Sequence, residues 1–404
     1  MKSKLPVVVF ALAWLSFGSA TLAQNPPPVP AAVIAHRDLA YVAKAHARQK
    51  LDLYLPEKGD GPFPLIVWIH GGGWTAGDKN GCPPLTQGFV ARGYAAASLD
   101  YRLSGDAIFP AQIEDCKAAI RWLRAHAKEY RIDPTHVGVW GSSAGGHLVA
   151  LLGTAGDIKE FDTGENLDQS SRVQAVSDFF GPTDFVQMDA HAVKGTPLIH
   201  DEARSPESKL VGGPIQDKAF AAKVQSANPV RYVTKDDPPF LIVHGDADPL
   251  VPHHQSELLY DALVKSGIPV RFTTVIGGGH GAGFPSTELN PLVREFFARH
   301  LMGNKSAAQW PAAMTSEVKA TSENPAPNAA PRGSQPAAGK QDGPRNGPPS
   351  WDVLMGRDDA DHDGLLSRAE FKGPPQLFDR LDRNGDGKLT KEEHEDGLRA
   401  MGRR

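Results

Sequence analysis

The sequence predicts an α/β fold with a mostly parallel central sheet and helices on both faces, followed by a small all-α module. Three observations carry this. Continuous apolar runs such as Leu65-Ile66-Val67-Trp68-Ile69 and Phe240-Leu241-Ile242-Val243 are what strands covered on both faces require. Such runs alternate with helical spacing, as at Ile113, Cys116, Ala119, Ile120 and Leu123. The last part of the chain changes composition twice, first to a polar, glycine- and proline-rich stretch and then to an acidic and aromatic one.

In chain order, Lys2 and Lys4 precede an apolar stretch from Leu5 to Phe17. Small residues at Thr21 and Ala23 then place a cleavage site before Gln24. Residues 1–23 therefore read as a signal peptide and the protein as secreted or periplasmic. Residues 24–33 are a Pro-rich leader. Arg37–Val42 and Lys50–Leu55 have the character of antiparallel strands. Strands follow at Leu65–His70 and Tyr94–Tyr101, then the helix around Ile113, then a strand at Val137-Gly138-Val139-Trp140. Further strands span Val173–Phe180, Phe240–Val243 and Val270–Ile276, with helices at Leu258–Val264 and Leu292–Leu301. The core domain thus spans 34–302. Residues 303–349, rich in Ala, Pro, Gly, Ser, Asn and Gln, cannot bury enough apolar surface to order themselves and read as a disordered linker. Residues 350–404 form the terminal module.

A formal net charge of −4 gives no basis for a nucleic-acid partner. Beyond the signal segment, no stretch is apolar enough to span a bilayer. Two cysteines, Cys82 and Cys116, are compatible with one disulfide in an oxidising compartment or with two buried thiols.

Gly141-Ser142-Ser143-Ala144-Gly145 lies between an apolar strand and the helix-forming run His147-Leu148-Val149-Ala150-Leu151-Leu152. A G-x-S-x-G in that context is a sharp turn that presents its central serine at the end of a strand. Ser143 is the candidate nucleophile. Upstream, His70-Gly71-Gly72-Gly73-Trp74 ends a strand with three glycines whose N–H groups can turn towards an anion. With the N–H of the residue after the nucleophile, Gly72, Gly73 and Ala144 become candidate oxyanion donors. Downstream, Asp246 and Asp248 follow the Phe240–Val243 strand. Asp248 is favoured as the acid, and Asp246 as a turn-shaping acceptor. Among fifteen histidines, His280 in Gly277-Gly278-Gly279-His280-Gly281 completes the order Ser, Asp, His on a strand-terminal loop. No cofactor is called for in such chemistry. Trp74 is a candidate substrate contact, with the irregular stretches 153–171 and 181–227.

With these motifs, residues 34–302 resemble an α/β-hydrolase of the hormone-sensitive-lipase-like group. They are most similar to the bifunctional feruloyl and acetyl esterases, marked by an H-G-G-G-W loop and a G-x-S-A-G-G elbow. Tyr101-Arg102-Leu103-Ser104, Phe109-Pro110-Ala111 and Arg121-Trp122-Leu123-Arg124 fit the same family. The resemblance implies a serine carboxylesterase acting on small acyl esters, including acetyl or feruloyl groups on plant polysaccharide. It extends to kynurenine formamidases, so an amidase, peptidase or formamidase is the alternative, and a non-catalytic calcium-dependent adhesion protein the third.

In the terminal module, Asp359, Asp361, Asp363, the Leu365 carbonyl, Ser367 and Glu370 occupy the ligand positions of a twelve-residue calcium loop, with Gly364 at its turn. Asp382, Asn384, Asp386, the Lys388 carbonyl, Thr390 and Glu393 repeat the pattern around Gly387. The module therefore resembles an EF-hand pair for two calcium ions, with Leu366 and Leu389 joining the loops by a short strand. Its expected role is attachment or docking to a partner.

Overall fold

The computed structural model describes residues 28–303 and 312–321. In the terminal module it describes 366–368, 370, 371, 378, 381, 382, 386–390, 393 and 394. Two compact units divide the chain, Met1–Arg332 and Gly333–Arg404. The signal peptide and residues 24–27 of the leader lie outside the described residues.

The first unit is built on a nine-stranded sheet of order β1-β2-β4-β3-β5-β6-β7-β8-β9. Its strands are β1 Val33–Ala40, β2 Lys50–Pro56, β3 Phe63–Ile69, β4 Ala95–Leu99, β5 Ile132–Ser142, β6 Ala175–Phe179, β7 Phe240–Gly245, β8 Val270–Ile276 and β9 Ala313–Lys319. Pairing is antiparallel at β1–β2 and β2–β4 and parallel from β4 onwards. The continuous apolar runs explain the parallel region, since every residue of β4 and β7 is buried.

Among the described residues of the unit, seven α-helices accompany the sheet: α1 Pro83–Thr86, α2 Ala111–Ala125, α3 Ala144–Thr154, α4 Pro206–Val211, α5 Ala221–Ser226, α6 His254–Lys265 and α7 Ser286–Leu301. One core, on the face of α2 and α3, gathers Leu65, Val67, Val139, Ile120, Leu148, Leu151 and Phe240. The other packs Trp68, Trp140, Leu241 and Val275 against Phe296 and Phe297 of α7. Period-2 alternation in the strands sends neighbours to opposite cores, as Val67 and Trp68 do.

The α/β-hydrolase reading of the fold holds, with two differences of extent. The Pro291 inside α7 hides that helix's first turn from sequence reading, because helices avoid an interior proline. More consequentially, the expected linker contributes β9. Residues Ala313–Lys319 pair in parallel with β8, from Val270↔Ala313 to Ile276↔Lys319. An edge strand needs little apolar content, and Val318 and Ala320 supply what packs on the core. The disordered assignment therefore does not apply to 312–321; the rest of 304–349 lies outside the described residues.

Both cysteines are free and buried, Cys116 in the α2-side core and Cys82 in a small cluster with Tyr54, Leu85, Val90 and Ala96. Of the two alternatives, the structure holds the thiols. Burial pushes the Cys82 thiol up to about 12, which makes it a poor nucleophile.

In the second unit, β10 Leu366–Ser367 pairs antiparallel with β11 Lys388–Leu389, and Leu366 lies opposite Leu389. Those two leucines pack with Phe371, Phe378 and Leu381.

Candidate active site

β4 and β5 flank β3 on opposite sides, so the chain order of the sheet reverses there. In open α/β sheets the crevice at such a switch point, beyond the carboxyl ends of the strands, is where ligands sit. β3 ends into His70–Trp74 and β5 ends at Ser143, so both glycine-rich motifs meet at that crevice.

Ser143 is the N-cap of α3 with φ +55 and ψ −123, a strained conformation for a residue with a side chain. The turn closes only with glycine at its flanks: a Cβ on Gly145 would fall on the Ile69 carbonyl, and one on Gly141 on the Gly145 carbonyl. The Ser143 N–H donates to the Phe179 carbonyl at 2.9 Å, which tethers the elbow to β6.

His280 Nε2 lies 2.9 Å from Ser143 Oγ, and His280 Nδ1 lies 2.7 Å from Asp248 Oδ2. The carboxylate can only accept, so Nδ1 carries the proton and Nε2 accepts from the serine hydroxyl. Asp248 is 1% exposed, and its Oδ1 accepts from the Leu250 and Val251 N–H groups at 2.7 and 3.0 Å. Burial acts to raise its pKa, but hydrogen bonds from His244 and His280 override that and hold the carboxyl well below its usual range. Asp246 is exposed and accepts the Gly277 N–H at 2.6 Å. The structure thus brings Ser143, His280 and Asp248 together and leaves Asp246 outside.

Gly72, Gly73 and Ala144 all line the cavity above Ser143. Their N–H groups have no acceptor among the described residues, as open oxyanion donors require. Ala144 also opens α3, adding the positive end of that helix. The loop's shape is held from below. Arg48 donates to the Gly77 and Tyr101 carbonyls at 2.6 and 3.0 Å, and Tyr101 Oη donates to the His70 carbonyl at 3.0 Å. His70 stacks on Tyr101, and its burial lowers its pKa to about 3, so it is a neutral spacer.

The cavity measures about 390 Å³. Trp74 lines it as expected, but is only 2% exposed and packs edge-on against His147. His147 itself is fully buried, bonds the Ala227 carbonyl at 2.7 Å, and has its pKa lowered to about 4 by burial. Several polar atoms of the lining side chains have no partner among the described residues: Nε1 of Trp68, Trp74 and Trp140, Oε1 of Gln87 and Oε2 of Glu207.

Sequence reading missed three groups. His244 Nε2 sits 3.3 Å from Asp248 Oδ2 and 3.0 Å from the Val251 carbonyl, steadying the acid from a second side. Phe180 packs its ring 4.6 Å from the His280 ring. Glu207, from the stretch without a readable period, lines the cavity. Phe180 and Glu207 depend on contacts with segments distant in sequence, whereas His244 stands four residues before Asp248, beside a motif.

The BD-FAE family model matches residues 51–263. The chain belongs to the BD-FAE family. Its relatives include the "Probable carboxylic ester hydrolase LipM" of Mycobacterium tuberculosis, 35% identical over 50% of this chain and 45% of that protein. The BD-FAE chain spans about half the length of the first curated relatives it matches. Among solved structures, a truncated carbohydrate esterase from gut microbiota is 32% identical with a TM-score of 0.60, covering 69% of this chain and 100% of that one. A bifunctional GH43-CE protein of Bacteroides eggerthii is 35% identical with a TM-score of 0.59, covering 66% of this chain and 38% of that one.

An EF hand model matches residues 376–393, the second expected loop. There Asp382 Oδ2 accepts the Gly387 N–H at 3.0 Å, and Glu393 accepts the Thr390 hydroxyl at 2.8 Å. In the first loop Glu370 accepts the Ser367 hydroxyl at 2.7 Å. Asp359, Asp361, Asp363, Leu365 and Asn384 lie outside the described residues. Among the described residues no three carboxylate, His or Cys side chains converge as a metal site; the ligand types in view, Asp382, Asp386 and Glu393 with a threonine hydroxyl, are all oxygen, as a hard cation requires.

Proposed function

We propose that the protein is an exported serine carboxylesterase that hydrolyses acyl esters carried on sugars. The single observation that carries this is the hydrogen-bonded chain from Ser143 through His280 to Asp248 beneath open backbone donors. The catalytic step follows from that geometry. His280 Nε2 takes the Ser143 proton as Oγ attacks the ester carbonyl. The carbonyl oxygen gains negative charge within reach of the Gly72, Gly73 and Ala144 N–H groups. The C–O bond to the alcohol breaks, and His280 returns the proton to the leaving oxygen. Water then repeats the sequence against the acyl-serine, releasing the acid. Throughout, Asp248 holds the ring tautomer and balances the imidazolium.

The sugar-ester reading is supported by the carbohydrate-esterase neighbours and by a cavity lined by Trp68, Trp74 and Trp140. At about 390 Å³ the cavity exceeds what an acetyl group needs and leaves room for an aromatic acyl group such as feruloyl. The amino-terminal signal segment supports export, and no helix among the described residues is long and apolar enough to cross a membrane. We assign the terminal module as a pair of calcium loops that stabilise a docking domain. With calcium bound, Asp382, Asp386, the Lys388 carbonyl, Thr390 and Glu393 would hold it in the second loop, supplying structural rigidity and no step of catalysis.

The test is hydrolysis of 4-nitrophenyl acetate by wild type and Ser143→Ala. A fall of about 10⁴-fold or more in kcat/KM is expected. Equal activity would refute the assignment.

A further inference from the structure

α4 belongs to the segment between β6 and β7 and packs against the oxyanion loop. Pro206 Cβ lies about 3.3 Å from where a side chain on Gly73 would begin. The next residue, Glu207, is 3% exposed and is the one carboxylate among the described residues lining the cavity. Its Oε1 lies 3.1 Å from His200 Nδ1, an ion-pair distance without hydrogen-bond geometry, and His200 is 1% exposed. Its Oε2 has no partner among the described residues and is sealed from water, so Oε1 is the oxygen that can open to the cavity. A buried carboxylate with so few donors calls for an explanation. Burial acts against a proton on His200, but the Glu207 carboxylate outweighs it and raises the His200 pKa. The imidazole then backs the carboxylate from the side away from the cavity.

Trp68, Trp140, Phe179, Phe284 and Leu289 give the cavity an apolar wall that suits an apolar acyl chain, with Gln87, Ser286 and Asn290 as polar points on it. Glu207 adds the one carboxylate, which suits a group that donates a hydrogen bond.

We infer that Glu207 is a specificity-determining residue that accepts a hydrogen bond from a free hydroxyl on the leaving sugar, with His200 as its positioning residue. This inference rests on the esterase reading above. The ligand class is a polyhydroxylated alcohol with one acylated hydroxyl beside a free one.

The test compares three acetyl esters: 4-nitrophenyl acetate, a methyl xyloside monoacetate, and cyclohexyl acetate, which lacks free hydroxyls. Wild type should favour the xyloside over cyclohexyl acetate by about tenfold or more in kcat/KM. In Glu207→Met, which nearly keeps length and removes the accepting oxygens, that ratio should collapse towards one, mainly through the KM of the xyloside. Any loss on 4-nitrophenyl acetate and cyclohexyl acetate should be smaller than the loss on the xyloside. A ratio unchanged in the variant overturns the inference, as does an equal loss on all three esters, which marks a purely structural ion pair. Should the variant not fold, a wild-type ratio near one overturns it alone. Wild type inactive on 4-nitrophenyl acetate would instead overturn the esterase reading, so the two failures are distinct.

Discussion

Replacing Asp248 by asparagine tests whether the acid works through the tautomer of His280. The carboxylate accepts from four donors: Leu250 N, Val251 N, His280 Nδ1 and the imidazole of His244. Asparagine offers one accepting oxygen and one donating amide. With its oxygen towards the two backbone N–H groups, the amide faces His280 Nδ1–H donor to donor. The ring then moves its proton to Nε2, towards Ser143 Oγ, and the base is lost. Turning the amide over instead leaves the Leu250 and Val251 N–H groups facing a donor. Either outcome removes general-base catalysis, worth about 10⁴ in kcat, or about 5 kcal/mol of barrier. The assay is 4-nitrophenyl acetate hydrolysis at neutral pH, with circular dichroism to verify the fold. Asp246→Asn is the internal control. Asp246 is exposed and accepts the Gly277 N–H, which asparagine can still do, so a change within about threefold is expected. Asp248→Asn retaining more than a tenth of wild-type kcat/KM, or Asp246→Asn falling as far, would refute the reasoning.

His147 is buried neutral, with its pKa lowered from 6.5 to about 4. The unfolded chain therefore gains a proton below pH 6.5 that the folded protein refuses, so this site removes stability as pH falls from 6.5 to about 4. Against His147→Gln, wild-type unfolding free energy should carry an extra slope of about 1.4 kcal/mol per pH unit in that window; parallel denaturation curves would count against it. Removing residues 304–404 strips β9 from the β8 edge, whereas removing 322–404 keeps it. The shorter protein should melt roughly 5 °C or more below the longer, and equal melting temperatures would show that β9 adds nothing. Chelating calcium should speed proteolysis within residues 350–404 while leaving 4-nitrophenyl acetate hydrolysis within about twofold; unaltered cleavage would contradict the calcium assignment.

The parts of the site legible in the sequence are those whose geometry is local. Ser143 announces itself because the turn tolerates only small neighbours, and the oxyanion loop because three glycines stand together after a buried strand. His280 follows from its glycine-flanked loop after a strand. The preference for Asp248 over Asp246 rested on loop depth, and the burial of the one and exposure of the other give that preference its physical content. Glu207 was illegible, because its meaning depends on His200 and on the cavity rather than on its neighbours in sequence. β9 was hidden for a different reason. Ala313-Met314-Thr315-Ser316-Glu317-Val318-Lys319 lacks the apolar density of a central strand, and an edge position does not demand it.

The way β9 ends has a mechanical side. Ala320 N–H bonds the Ile276 carbonyl and Thr321 N–H the Gly283 carbonyl, both at 2.9 Å. Gly283 lies three residues beyond His280. The chain therefore leaves the first unit fastened to the loop that carries the general base. If the terminal module anchors the protein to a surface or a fibre, drag on the enzyme enters through this clasp. Thr321, the last of these residues, would pass such a load first to Gly283 in the loop of His280, and the parallel β8–β9 ladder behind it would resist in shear. The stretch expected to be a linker would thus carry tension to the loop of the general base.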